Sequence, residues 1–209
     1  NDLSGNNTYF LHLYYNDGSD NWWNGASWQA GPYQLPVQIA GSTGAVRWDY
    51  PGSIPGHGAP NVSAHPNGRV YQVAIQARDR AGNLSSAATS FATLDKNGPT
   101  LAISTPTGVY YGLAAPLAAL RGTSNDAPAG VSRVEIQITN LNDNTKWDGS
   151  AWGVYGSTFL VVSGTDNWIY TAPAWVVNKA YQAEIRAYDL GGNPDPGTAP
   201  ERIVNFRYD

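Results

Sequence analysis

The sequence contains no cysteine and no methionine, and only 13% of its 209 residues are charged. Without cysteine there is no disulfide, no thiol nucleophile and no thiolate-based zinc site. The absence of both oxidisable sulfur side chains suits an exported protein, so the expected location is extracellular or the cell surface. No run of about 18 apolar residues occurs, and no basic stretch followed by an apolar one opens the chain, so no membrane insertion is expected in this segment. Positive charge is scarce as well. Twelve Lys and Arg against sixteen Asp and Glu leave a net charge of −4, which provides no electrostatic case for nucleic acid. Catalytic signatures are missing: there is no G-x-S-x-G, no H-E-x-x-H and no phosphate loop. The histidines, His12, His57 and His65, accompany no nucleophile motif, and the chain is not expected to be an enzyme.

What the chain does contain is turn formers and aromatics: 23 Gly, 14 Pro, 13 Tyr and 8 Trp, the composition of a turn-rich all-β protein. It also contains a repeat. Trp23-Asn24-Gly25-Ala26-Ser27-Trp28 returns 124 residues later as Trp147-Asp148-Gly149-Ser150-Ala151-Trp152. Asn-Gly or Asp-Gly between aromatics reads as a β-hairpin tip, with each first tryptophan facing the second. Further landmarks follow in the same order. Arg47-Trp48-Asp49-Tyr50 answers Asn167-Trp168-Ile169-Tyr170, the run from Tyr71 to Asp79 answers that from Tyr181 to Asp189, and Phe91 answers Phe206. Two domains are therefore expected, residues 1–95 and 96–209, joined by the stiff linker Asp95-Lys96-Asn97-Gly98-Pro99.

Tyr71, Val73, Ile75 and Ala77 alternate with polar residues, as do Tyr181, Ala183, Ile185 and Ala187, which predicts half-buried strands. In the second half, strands are expected near 100–104, 117–122, 131–138, 145–148, 151–154, 158–163, 167–171, 181–188 and 201–207. Short strands divided by Gly, Pro, Asn and Asp argue for a sandwich of antiparallel sheets. The first half has no counterpart of Leu101-Ala102-Ile103, and Leu3-Ser4-Gly5 aligns with Leu120-Arg121-Gly122. Two explanations stand: the chain is a piece of a longer protein, or a neighbouring chain supplies that edge strand.

The runs ending in Ala-Gly-Asn at Asn83 and Gly-Gly-Asn at Asn193, with the Asp95-Lys96-Asn97-Gly98-Pro99 joint, resemble bacterial immunoglobulin-like (Big or cadherin-like) tandem repeats of large surface or secreted proteins. The resemblance implies two immunoglobulin-like antiparallel β-sandwiches in series, the first lacking its N-terminal strand. It also implies a spacer, stalk, adhesive or self-assembling role beside neighbouring repeats or other copies of the same protein. A carbohydrate-binding module using exposed aromatics to hold surface glycans is the competing reading.

Three sets of residues are candidates for function. Asp189 and Asn193, and Asn125 and Asp126, lie in turns expected at the same end of the second domain as Asp95 and Asn97. Oxygen donors gathered at a joint are what a structural Ca²⁺ accepts, and the same residues are ordinary turn caps; no other cofactor is expected. Trp23, Trp28, Trp147 and Trp152 at the hairpins are more exposed candidates for stacking on sugars, or stabilise the hairpins themselves. Trp48 and Trp168 are expected in the core. Finally, with Leu11, Leu13 and Tyr15 matched to Val134, Ile136 and Ile138, the residues Phe10, His12 and Tyr14 replace polar side chains on an outer face, a pattern of either an interface or simple β-propensity.

Overall fold

A computed structural model of the chain describes residues 8–40, 47–50, 55–197 and 202–209. Those residues form strands and turns with no helix, in two compact units, Asn1–Leu94 and Asp95–Asp209. Asp95 belongs to the second unit, where its carboxylate accepts the Ala129 amide at 2.9 Å. Leu3-Ser4-Gly5, the stretch on which the missing edge was inferred, lies outside the described residues.

The first unit contains β1 (Thr8–Asn16), β2 (Asp20–Trp23), β3 (Trp28–Gln29), β4 (Leu35–Pro36), β5 (Gln38–Ala40), β6 (Arg47–Asp49), β7 (Val70–Arg78) and β8 (Ala88–Thr93). Its main sheet runs β3-β2-β1-β7-β8, with β4 continuing the edge beside β1, and β5 and β6 pair separately. Leu11, Trp23 and Leu35 form a small core, with Leu13, Trp28, Val37, Tyr50 and Val73 packed around it.

The second unit contains β9 (Thr100–Thr105), β10 (Tyr110–Tyr111), β11 (Ala119–Asn125), β12 (Val131–Asn140), β13 (Thr145–Trp147), β14 (Trp152–Gly153), β15 (Leu160–Val161), β16 (Asn167–Thr171), β17 (Lys179–Asp189) and β18 (Ile203–Tyr208). One sheet runs β10-β18-β17-β12-β13-β14 with β15 on β12, and the other runs β16-β11-β9. All pairings among these strands are antiparallel except β10 with β18. Leu120 and Trp168 of the smaller sheet meet Val134, Ile136, Ile138, Tyr181, Ala183 and Ile185 of the larger one in a continuous core. This is two-layer β packing, each inner face supplied by alternate residues. The short strand β10 was not expected from the sequence, because two tyrosines in a Gly-rich loop show no periodicity.

Register corrects the way the two halves were matched. Leu11 pairs with Ile75 and Leu35, as Ile136 pairs with Ile185 and Leu160. Leu11 therefore corresponds to Ile136, not Val134, and Leu13 to Ile138. The shift is two residues, so the inner and outer faces keep their identities. Phe91 is different. Phe206 faces Tyr181, but it is Ala92 that faces Tyr71, while Phe91 faces Gln72 on the outer side and is 66% exposed. A slip of one residue moves a side chain to the opposite face.

Trp168 is buried as expected, at 2% exposure, but Trp48 is 38% exposed. Trp168 lies on a strand paired to β11 opposite Gly122, where a Cβ would run into the indole ring and the Ala102 carbonyl. Trp48 sits on the two-stranded β5–β6 ribbon opposite Ile39, itself exposed. Trp168 has β11 beside it, whereas Trp48, its match in the first half, has only the strand of Ile39 beside it among the described residues.

Candidate functional site

The tryptophan hairpins are built alike in both units. Asn24 Oδ1 accepts the Ala26 and Ser27 amides at 2.9 and 2.8 Å; Asp148 Oδ1 accepts those of Ser150 and Ala151 at 2.8 and 2.7 Å. The Ala151 and Ser150 amides hold the Asp148 carboxyl far below its ordinary range, by favouring its charged form. Gly25 and Gly149 take φ of 103° and 101°, a conformation that costs glycine nothing. Trp23 faces Trp28 with centroids 5.3 Å apart, and Trp147 faces Trp152 at 5.5 Å.

The indole N–H groups tie each hairpin to the body of its unit. Trp23 Nε1 donates to Tyr50 Oη at 3.0 Å, and Trp147 Nε1 to Tyr170 Oη at 3.0 Å. Trp28 Nε1 donates to the Asn61 carbonyl at 3.0 Å, and Trp152 Nε1 to that of Ala174 at 3.4 Å. Trp28 and Trp152 also lie against Tyr71 and Tyr181, at 5.5 and 5.4 Å. Trp23 is 3% exposed and the other three are half-buried, so these rings are less available than the sequence suggested. Burial follows from their polar ends being satisfied inside the unit, which removes the cost of taking an indole N–H from water.

Tyr181 forms a second brace: its hydroxyl accepts the Val176 amide at 2.9 Å and donates to the Val176 carbonyl at 3.1 Å. Tyr71, at the matching position, instead meets His65 Nδ1 at 2.5 Å.

The acidic residues singled out in the sequence separate into two groups. Asp95, Asp126 and Asp189 converge: one carboxylate oxygen from each lies within 4.8 Å of the others. Asp189 is 2% exposed, at the end of β17. Burial pushes the Asp126 carboxyl up from its ordinary value, and the charges of Asp95 and Asp189 push it the same way. Asn193, Asn97 and Asn125 take other parts. Asn193 donates its side-chain amide to Asp189 Oδ2 at 2.7 Å and to the Asp95 carbonyl at 3.3 Å. Asn97 donates its backbone amide to Asp95 Oδ1 at 3.1 Å, and the Asn125 carbonyl accepts the Thr100 hydroxyl at 3.1 Å. Each aspartate also accepts a backbone amide: Asp95 that of Ala129, Asp126 that of Gly130 and Asp189 that of Asn193. Three carboxylates supply three hard oxygen donors of the roughly six to eight that Ca²⁺ takes, and a cation there would relieve their mutual repulsion.

Phe10, His12 and Tyr14 lie on the outer face of β1. Tyr14 stacks on Trp22 at 4.3 Å and 23°, and His12 meets the Trp22 ring edge-on at 5.8 Å. Arg78 lies over the Phe10 ring, 5.1 Å from its centroid. Neither nitrogen of His12 has a hydrogen-bond partner among the described residues. Trp22 and Phe91 were missed in the sequence reading. The signal for Trp22 was available: in a strand where Trp23 points inward, its neighbour must point out.

No protein-family model and no curated protein sequence matches this chain.

Proposed function

We propose that this chain is a non-catalytic structural or adhesive segment of an exported repeat protein, two immunoglobulin-like sandwiches in series, serving as spacer, stalk or self-assembling surface module. The observation that carries the reading is the hairpin latch built twice. The most conspicuous shared residues of the two halves, Trp23 with Tyr50 and Trp147 with Tyr170, bond to each other and hold each unit together. Repetition of a fold-holding device is what a spacer requires. Antibodies raised against the chain are expected to label intact, unpermeabilised cells of the source organism, and labelling only after permeabilisation would refute export.

Within this reading, Asp95, Asp126 and Asp189 hold a structural Ca²⁺. At a site affinity of about 10⁻⁴–10⁻³ M, typical of extracellular modules, 10 mM Ca²⁺ would stabilise the second unit by roughly 1.4–2.7 kcal/mol. The Asp126→Asn variant separates metal binding from simple capping. An acid whose folded pKa is raised opposes folding once ionised, so its removal should leave the metal-free protein at pH 7 as stable as before or more so. The variant should lose the Ca²⁺ response. Equal melting temperatures of the unaltered protein in EDTA and in 10 mM CaCl₂ would count against the site.

A further inference from the structure

The outer face of the first unit's main sheet differs from its counterpart in the second unit in one consistent respect. With the register corrected, the second unit carries Glu135, Lys146, Glu184 and Arg186 on this face. Glu135 there pairs with Arg133 at 2.9 Å and Arg186 at 2.6 Å. At the corresponding positions the first unit has Phe10, Trp22, Ala74 and Gln76. All four charges are gone, and two are replaced by aromatic rings. At these four positions a face whose twin is laced with ion pairs has become uncharged and more aromatic; the charge it keeps is Arg78, which lies over the Phe10 ring, outside the row described next.

The arrangement is a row. Trp22 on β2 lies opposite Tyr14 on β1, Tyr14 opposite Gln72 on β7, and Gln72 opposite Phe91 on β8. Three strand spacings of about 4.8 Å separate Trp22 from Phe91, roughly 14 Å. The stacked Trp22–Tyr14 pair thus forms one platform and the exposed Phe91 ring another, with the Gln72 carboxamide between them. Gln72 is half-buried, its backbone held in the ladder between β1 and β8.

We infer that this row binds an extended neutral polysaccharide. The exposed Phe91 ring presents the negative side of the aromatic quadrupole to polarised C–H groups, which pyranose rings carry on their faces, and the half-buried Trp22–Tyr14 stack adds apolar contact. A carboxamide between the platforms offers both donors and an acceptor to hydroxyls. The lack of charge along the row matches an uncharged ligand, because desolvating an acidic sugar would need a cation in the row to compensate. The span fits several sugar units rather than one. This inference takes up the glycan-binding alternative but moves it from the hairpin tryptophans to the opposite face of the sheet. It stands or falls separately from the structural reading, which surface labelling tests.

The experiment is affinity electrophoresis of the full chain in gels containing hydroxyethyl cellulose, xylan, galactomannan or laminarin, with alginate as the charged control. At least one neutral polymer is expected to retard the protein, and alginate is not. Phe91→Ala removes an exposed ring without touching the core, and should weaken retardation at least tenfold with an unchanged melting curve. Trp22→Lys, which installs the second unit's residue, should do the same, whereas Trp152→Phe on the other hairpin should not. The inference is overturned if none of the four neutral polymers retards the chain, or if Phe91→Ala retards as strongly as the unaltered protein. It is also overturned if the face proves to join two copies, seen as a dimer in sedimentation that Phe91→Ala dissociates without any glycan binding.

Discussion

Tyr170→Phe isolates a single hydrogen bond in the second unit's latch. The hydroxyl accepts Trp147 Nε1–H at 3.0 Å, and no other acceptor is present for that donor among the described residues. Leaving a buried donor unsatisfied costs about 1–3 kcal/mol; Trp147 is half-buried, so the lower part of that range applies, about 1–2 kcal/mol. For a unit of this size that is roughly 4–8 °C in Tm. The matching change in the first unit, Tyr50→Phe, should cost less, because Trp23 Nε1 also lies 3.3 Å from the Gly58 carbonyl and keeps an acceptor. The assay is urea unfolding of the full chain, with one transition fitted per unit. A double-mutant cycle with Trp147→Phe should return a coupling of about 1 kcal/mol. A coupling near zero, or equal costs for Tyr170→Phe and Tyr50→Phe, would refute the view that the hydroxyl holds the hairpin.

Other outcomes can be checked on the same chain. Trp168→Ala should destabilise the second unit by about 3–5 kcal/mol, whereas Trp48→Ala, on an exposed ribbon, should change stability by no more than about 0.5 kcal/mol; calorimetry distinguishes them. Glu135 sits below its ordinary carboxyl value of 4.5: burial opposes its charge, but hydrogen bonds from Arg186 and Arg133 outweigh that. An acid with a lowered folded pKa contributes stability in full above the unfolded value and loses it as pH falls through the folded one. The second unit's urea midpoint should therefore fall below about pH 4.5, and Glu135→Gln should flatten that fall by about 1 kcal/mol, since both arginines are partly exposed and screened.

The strands of the second unit other than β10 were legible to within a few residues, because alternation along Tyr181–Ala187 and the Gly, Asn and Asp turns are local properties. So was the facing of Trp23 by Trp28, since a turn of fixed length sets which residues meet. The convergence of Asp95, Asp126 and Asp189 was anticipated only through the resemblance to known repeats, which placed their turns at one end. Asn193 was expected as a metal ligand or a turn cap; its side chain donates to Asp189. The neutral outer row was half visible. Phe10, His12 and Tyr14 stood out against the second half, but Phe91 was matched to the inward-facing Phe206 and Trp22 was passed over.

By itself, the sequence determined the all-β class, the turn positions and the alternation of faces, since each depends on residues a few positions apart. Tertiary structure decided which alternating face is covered, how one strand registers against another, and which partner each hairpin indole N–H finds. Burial and register depend on segments tens of residues away, so two tryptophans with the same local context, Trp48 and Trp168, end in opposite surroundings. One residue of register separates a core Phe206 from an exposed Phe91, and nothing in the alternation of either strand records which partner lies opposite.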